Sequence, residues 1–232
     1  CWIDGCCHHS LTMALAESGE DPWSVLQDGS NRAQRAIRLV VHGRSQGVVP
    51  QCIMQCADRL QQRRSAPVQL EVLTSDDTVP SPSEPVWLIP LLLMPGSHVR
   101  IDLPAIRRRL AQSQPRITLL PFLGAWPVWW SLVRRDLGGV AAGSDLTLIH
   151  HPLRSGVADR FLATLAQRLG HPLIAFDDWP AYVARVPHAT PFPLVLAPNR
   201  MSAELSPPAV AAPLLERPLL RDGLIDLLAA LP

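Results

Sequence analysis

The sequence contains no lysine, so all 21 of its basic residues other than histidine are arginines. They are balanced by 20 acidic residues, and a net charge of +1 excludes the strongly basic surface typical of a nucleic-acid-binding protein. The longest apolar run, VWLIPLLLMP (86–95), is broken by proline and is shorter than the roughly 20 residues of a membrane-spanning helix. These absences predict a protein with neither nucleic-acid nor membrane partners.

A charged start followed by an apolar segment and a cleavage site is also missing, which predicts a cytoplasmic protein without a secretory signal. Five cysteines do not make a disulfide framework, because three of them are bunched near the start. Five potential metal ligands crowd this stretch: Cys1, Cys6, Cys7, His8 and His9. Structural zinc sites usually need a second ligand pair placed across a small fold, and none accompanies this one. We therefore expect residues 1–36 to be a poorly ordered leader without a metal site. Its first dozen residues are expected to be either part of that leader or a product of upstream translation.

Short apolar runs alternate with helical periods through the first half of the chain. The pattern predicts strands at 37–41, 68–74, 86–93 and 116–121, and helices at 49–64, 103–113 and 127–137. This alternation predicts an α/β fold with a parallel sheet and helices on both faces.

After a glycine-rich linker at 138–145, the same pattern returns in the same order. LTLIHHPLRSG (146–156) echoes RLVVHGRSQG (38–47), PLVLAPNR (193–200) echoes PLLLMPGSH (90–98), and APLLERPLLRDGLIDLL (212–228) echoes LPFLGAWPVWWSLVRRDL (120–137). We therefore predict an internal duplication, with two similar parallel-sheet units at 37–137 and 146–232 facing each other across a cleft.

Two histidines follow strands of the first half. His42 comes directly after the first strand, and His98 follows a Pro-Gly turn after the third. Because open parallel sheets bind ligands beyond the carboxyl ends of their strands, both imidazoles are expected at one edge, where they could hold a divalent metal or accept protons. Gly43 and Gly96 leave room for a flat ligand or allow an unusual backbone conformation. The alternative is that each histidine only caps a strand end by hydrogen bonding.

These segments resemble those of the sirohydrochlorin chelatases, the class II chelatases of the CbiX type, which insert cobalt or ferrous iron into sirohydrochlorin. The matching segments are LVVHGRSQG (39–47), PLLLMPGSHVRIDLP (90–104) and LLPFLGAWP (119–127), which correspond to the family's His-Gly opening, its Gly-x-His and Asp-x-Pro string, and its PLG-x-x-P segment. The resemblance covers residues 37–137 and, more weakly, 146–229. Two such halves in one chain resemble the long form of the family.

The resemblance implies that His42 and His98 are the catalytic residues and bind the metal substrate. It implies that Asp102 is either a helix cap or a hydrogen-bonding partner of a metal ligand. Three candidate substrate-binding residues flank the histidines: Arg44, Ser45 and Arg100. The partner implied is a tetrapyrrole, with Co²⁺, Fe²⁺ or Ni²⁺ as the metal substrate and no organic cofactor. The cobalamin and siroheme pathways both stay open, as do a monomer and a homodimer.

The chain departs from the family pattern at several positions. Arg44 and Ser45 stand in reversed order, and GAWP (124–127) lacks a histidine. Thr74 stands where an acidic residue often ends the second strand, with Asp76 and Asp77 just beyond it. In the second half, Asn199 and Arg200 replace the Gly-x-His, although His150 and His151 remain. The second half is therefore expected to be a scaffold that covers the cleft, leaving one active site per chain. Three tryptophans are expected either to wall the cleft or to pack within the fold: Trp126, Trp129 and Trp130.

Three other functions fit parts of the sequence. A histidine phosphatase requires Arg-His-Gly, but Val41 precedes His42. A serine hydrolase acting through Ser45 would require a G-x-S-x-G turn, which the sequence lacks there. A metal- or tetrapyrrole-binding protein with the same fold and no turnover remains the main alternative.

Overall fold

The computed structural model describes residues 34–43, 47–74, 84–113, 116–140, 145–153, 156–205 and 212–232. Several predictions fall outside the described residues. They concern the cysteines and histidines of the first nine residues, nearly all of the predicted leader, and Arg44, Ser45, Asp76 and Asp77.

Four parallel strands form the first sheet in the order β2-β1-β3-β4. The strands are β1 (Ala36–Val41), β2 (Val68–Val72), β3 (Val86–Pro90) and β4 (Ile117–Leu119). The helices of this half are α1 (Gln51–Gln62), α2 (Leu103–Ala111) and α3 (Pro127–Val140). Helix α3 extends past 137, so Gly138 and Gly139, which were predicted to begin the linker, are helical.

Three parallel strands form the second sheet in the order β6-β5-β7. They are β5 (Leu146–His150), β6 (Leu173–Ala175) and β7 (Thr190–Pro193). The helices of this half are α4 (Val157–Leu169), α5 (Trp179–Arg185), α6 (Arg200–Glu204) and α7 (Pro218–Ala229). The predicted α/β class with two parallel sheets is therefore confirmed. Neither β6 nor α5 was predicted, because a three-residue strand and a seven-residue helix show little periodicity.

The burial of β1 agrees with its place in the interior of the first sheet. All six of its residues are buried, as expected for a strand paired on both sides and covered by helices on both faces. Helix α1 covers it with one apolar face that includes Ile53, Cys56 and Leu60. No helix among the described residues combines the length and the apolar content that crossing a bilayer requires.

One apolar core joins the two sheets. Leu39 of β1 and Trp87 of β3 belong to the same buried cluster as Leu148 of β5 and Phe192 of β7. Helix α7 of the second half packs against α1 and α3 of the first. The Arg64 guanidinium donates hydrogen bonds to backbone carbonyls at the end of α7 and to the carbonyl of the residue that precedes β1. The two halves are therefore packed as one body.

A buried ion pair links β1 to β2. Arg38 of β1 is fully buried, and its guanidinium donates to Glu71 Oε2 at 3.2 Å and to Gln69 Oε1 at 2.7 Å. Arg109 of α2 also donates to the Glu71 carboxylate. Burial lowers the pKa of Arg38, and the charge of Glu71 opposes that shift. Glu71 is therefore the counter-charge for an arginine in the centre of the sheet.

We expect Glu71→Gln to lower the free energy of unfolding by about 3 kcal/mol, because the substitution leaves the buried Arg38 charge without a counter-charge. Urea unfolding measures this loss. Asp222→Asn is the matched control, since it breaks an exposed pair with Arg59 and should cost no more than about 1 kcal/mol. Equal losses for the two variants would contradict the prediction.

Candidate functional site

The site lies at the carboxyl edge of the first sheet. Val40 of β1 pairs with Pro90 of β3, so the segments that follow these two strands leave the sheet side by side. His42 follows β1 directly, and His98 begins a π-helical turn that leads into α2. The centroids of the two imidazole rings are 4.9 Å apart, and the rings meet edge to face at 69°. The two histidines that the sequence analysis selected are thus neighbours.

Asp102 orients the ring of His98. Its Oδ2 lies 2.6 Å from Nδ1 of His98, at the other end of the π-helical turn. Because an ionised carboxylate only accepts hydrogen bonds, Nδ1 carries the proton and Nε2 of the neutral ring keeps its lone pair. Asp102 makes no side-chain hydrogen bond that would cap α2, the other role considered for it. A carboxylate behind an imidazole in this way is the usual arrangement around metal-binding histidines.

His42 is held in its neutral form. Desolvation by the surrounding protein lowers the pKa of His42, the charge of His98 lowers it further, and a hydrogen bond with the Gly43 backbone partly offsets both. The imidazole therefore has a lone pair available at neutral pH. Together the two rings can provide nitrogen ligands to a divalent metal, or an acceptor for a proton.

The two glycines beside the histidines differ in what they contact. Neither has a positive φ, so the unusual backbone conformation considered for them is not present. A Cβ on Gly43 would lie 2.5 Å from Thr74 Oγ1 and 2.6 Å from a methyl carbon of Val72. A Cβ on Gly96 would meet only Leu153, at an ordinary 3.6 Å. Close packing against the segment that follows β2 therefore requires glycine at 43 but not at 96.

We expect Gly43→Ala to weaken Co²⁺ binding and to lower the free energy of unfolding by about 1–3 kcal/mol, since the added methyl group must displace the His42 turn. Isothermal titration with Co²⁺ and thermal unfolding measure the two effects. Gly96→Ala is the control and should leave both nearly unchanged. A similar response from the two variants would show that packing at Gly43 does not position His42.

The remaining predicted residues are not all placed at the cleft. Arg100 lies exposed on the same π-helical turn as His98. The three tryptophans are buried in the main apolar cluster, so they pack within the fold and do not wall the cleft: Trp126, Trp129 and Trp130. The indole N–H groups of the first and third donate to backbone carbonyls at 2.8 and 2.6 Å.

Sheet register shows which residues of the second half correspond to the site. Ile149 of β5 pairs with Pro193 of β7 as Val40 pairs with Pro90, so His151 is the counterpart of His42. Counting from the two prolines makes the buried Met201 the counterpart of His98. The second half has therefore lost the imidazole pair by replacing one of its members with an apolar residue.

His150 and His151 have different surroundings, which the sequence alone did not distinguish. His150 is buried, and its Nδ1 lies 2.7 Å from the His151 carbonyl oxygen. His151 is exposed, and Nε2 of its ring lies 2.9 Å from the amide nitrogen of Asn199. Desolvation lowers the pKa of His151 most, and electrostatic repulsion between the protonated forms of His151 and His42 lowers it next. His151 is thus close enough to His42 for the two rings to interact electrostatically.

The second half contributes space for a ligand, and residues of that half alone line it. A cavity of about 580 Å³ opens at the carboxyl edge of the second sheet, and His150, Leu153 and Tyr182 are among the residues that line it. Leu153 also faces Gly96, so the cavity begins next to the segment that leads to His98. Within the described part of the chain, no group of three or more histidine, cysteine or acidic side chains is placed to hold a metal. Among the described residues, the metal ligands that this site can provide are therefore the imidazoles of His42 and His98.

We expect Asp102→Asn to weaken Co²⁺ binding by about 10-fold or more, because the amide no longer stabilises the Nδ1–H form of His98 as the carboxylate does. Equilibrium titration of the protein with Co²⁺ alone measures this. Asp226→Asn, an exposed carboxylate of α7 paired with Arg63, is the control and should bind Co²⁺ as the unmodified protein does. Unchanged affinity in Asp102→Asn would contradict the prediction.

Comparison with known proteins relates this fold to one group of enzymes. No family model matches the chain, and no curated protein sequence is similar to it. Among solved structures, it resembles DR2241 from Deinococcus radiodurans, a multi-domain protein with structural similarity to chelatases (TM-score 0.59, 20% identity, 86% of this chain and 55% of that one). This chain therefore spans little more than half the length of that protein.

Two further structures match over nearly their whole length. One is the sirohydrochlorin chelatase SirB from Bacillus subtilis subspecies spizizenii in complex with cobalt (TM-score 0.56, 17% identity, 83% of this chain and 93% of that one). The other is CbiX, the terminal enzyme for biosynthesis of siroheme in denitrifying bacteria (TM-score 0.58, 20% identity, 83% and 97%). At these identities the likeness shows the fold, and the fold is that of the sirohydrochlorin chelatases.

Proposed function

We propose that this chain, which has the fold of the sirohydrochlorin chelatases, is a cytoplasmic chelatase that inserts Co²⁺ or Fe²⁺ into sirohydrochlorin. The observation that supports this most directly is the contact between His42 and His98, with ring centroids 4.9 Å apart at the carboxyl edge of the first sheet. One similar structure is a sirohydrochlorin chelatase in complex with cobalt, which supports a cobalt substrate. The reaction places the protein in siroheme or cobalamin biosynthesis.

Metal insertion makes few demands on covalent chemistry. The protein must hold the macrocycle, accept protons from two pyrrole nitrogens and release the metal. Nε2 of His98 and the neutral ring of His42 are the groups that bind the ion, and at least one of them accepts a proton as the metal leaves. Two imidazoles bind a divalent ion less tightly than a closed four-ligand site, so they can pass it on.

Arginine side chains are suited to holding the acid-bearing macrocycle. A guanidinium binds a carboxylate through two parallel hydrogen bonds, and Arg100 is exposed on the turn that begins with His98. We assign the same role to Arg44, and we propose that Ser45 donates a hydrogen bond to a carboxylate of the macrocycle. Both residues follow His42 closely in sequence. No organic cofactor has a part in this mechanism.

One active site per chain follows from the second half. Met201 occupies the position that corresponds to His98, so residues 146–232 provide no second pair of imidazoles. In this proposal residues 37–137 hold the catalytic histidines, and the second half covers them. Because the second sheet is part of the same chain, a monomer is sufficient.

A second candidate is a protein that binds metal or tetrapyrrole without turnover. Thr74 favours it, since the resemblance leads us to expect an acidic residue there, and its hydroxyl packs toward Gly43. A site with two described imidazoles would then store an ion without completing the exchange of protons for metal. Binding without acceleration of metal insertion distinguishes this candidate from the enzyme.

We expect the protein to metallate sirohydrochlorin faster than buffer, and His42→Ala and His98→Ala each to abolish the acceleration. A single remaining imidazole cannot both hold the ion and accept the pyrrole protons that the ion replaces. Anaerobic absorbance of the macrocycle with Co²⁺ or Fe²⁺ measures the rate. His171→Ala is the control, since His171 precedes β6 at the opposite edge of the second sheet and should not matter. Binding of sirohydrochlorin with no gain in rate would favour the carrier.

A further inference from the structure

The ring of His151 is held by an amide whose orientation is fixed by a neighbouring helix. Asn199 is the N-cap of α6, and its Oδ1 accepts a hydrogen bond from the Ser202 backbone N–H at 2.9 Å. The amide nitrogen therefore points the other way, and it lies 2.9 Å from Nε2 of His151. Because an amide nitrogen donates and does not accept, Nε2 is the acceptor, and the proton of neutral His151 is on Nδ1.

His151 and His98 consequently present opposite chemistry. Asp102 accepts from Nδ1 of His98, so the open nitrogen of that ring is a lone pair. Asn199 donates to Nε2 of His151, so Nδ1, for which the described residues provide no partner, is an N–H donor. A donor neither binds a metal nor accepts a pyrrole proton, but it does recognise an anion.

His151 occupies the position in the second half that corresponds to His42 in the first. It follows β5 as His42 follows β1, and its side chain is exposed. Leu153, two residues later, faces Gly96 of the first half. Desolvation holds the pKa of His151 below its usual range, and repulsion between its protonated form and those of His42 and His150 lowers it further. Asp177 opposes these effects, and the ring is neutral at neutral pH.

We infer that His151 is a substrate-binding residue of the second half, whose Nδ1–H donates a hydrogen bond to a carboxylate of the tetrapyrrole while His42 and His98 of the first half handle the metal. The inference rests on the proposed function, because it takes the acid-bearing macrocycle as the ligand. Asn199 is then a positioning residue that selects the donor form of the ring. The replacement of Gly-x-His in the second half has thus changed the chemistry of that half.

Metal-free sirohydrochlorin tests the inference without turnover. We expect His151→Phe to weaken binding of the macrocycle by about tenfold, because one hydrogen bond to a charged group is lost. Fluorescence quenching measures the affinity. His151→Asn can place an amide N–H where Nδ1–H stands, and it should recover most of the affinity. His171→Phe is the control for a histidine changed elsewhere. The affinity for Co²⁺ alone should be the same in His151→Phe as in the unmodified protein.

Asn199→Asp tests the role of the amide while keeping the cap of α6, since aspartate caps helices as well as asparagine does. Its carboxylate accepts from Nε2–H of His151 and so turns the open nitrogen into an acceptor, which proton–nitrogen correlation spectra of the imidazole detect directly. We expect affinity for the macrocycle to fall about as far as in His151→Phe. In the double variant Asn199→Asp/His151→Phe no further loss is expected, which excludes simple repulsion by the new charge.

Each other outcome overturns a defined part of the argument. An Nε2–H form of His151 in the unmodified protein, or full macrocycle affinity in His151→Phe, overturns the inference and leaves the chelatase proposal standing. A loss of Co²⁺ affinity in His151→Phe also overturns it, because His151 would then be a metal ligand. If the macrocycle binds through His151 but is not metallated faster than in buffer, the chelatase proposal fails and the inference holds. If no macrocycle binds, both fail.

Discussion

The parallel pairing of β1 with β3 is the constraint on which the site depends. Val40 lies opposite Pro90, and the backbone N–H of Leu91 donates to the Val40 carbonyl at 2.8 Å, so the two chain segments leave the sheet at the same level. His42 follows β1 directly, and the close packing of Gly43 against Val72 and Thr74 holds its turn in place. His98 is farther along, and the π-helical turn from His98 to Asp102 brings its ring back beside His42. A shift in this register would separate the two imidazoles.

Several features outside the site maintain that register. The Arg38–Glu71 pair ties β1 to β2 inside the sheet, and it is buried on both sides. Gly124 allows the chain after β4 to approach the segment after β3, since a Cβ there would lie 1.8 Å from the Leu93 carbonyl oxygen. The Gly124 backbone N–H donates to the Leu92 carbonyl at 2.9 Å. The segment between β3 and His98 is thus held by backbone contacts on both of its sides.

The second half keeps the architecture of the first and changes its polar groups. The same strand register places His151 where His42 stands, but Met201 is buried where His98 would be. Asn199, which replaces Gly96 in the second half, caps α6 and also donates a hydrogen bond to the His151 ring. The shared core through Leu39, Leu148 and Phe192 keeps these two edges together, so a change in one half alters the surroundings of the other.

The sequence by itself determined the alternation of strands and helices and the parallel sheets, and it selected His42 and His98 as candidate site residues, because each depends on local periodicity or on a residue's distance from a strand end. It could not predict β6 and α5, which are too short to show a period. Nor could it tell that Gly43 is required by contact with Thr74, that the tryptophans are core residues, or that His150 is buried while His151 is exposed beside Asn199. Those distinctions depend on contacts between distant segments. Only the tertiary structure decides which nitrogen of an imidazole is occupied, since the partners are set by how Asp102 and Asn199 are placed.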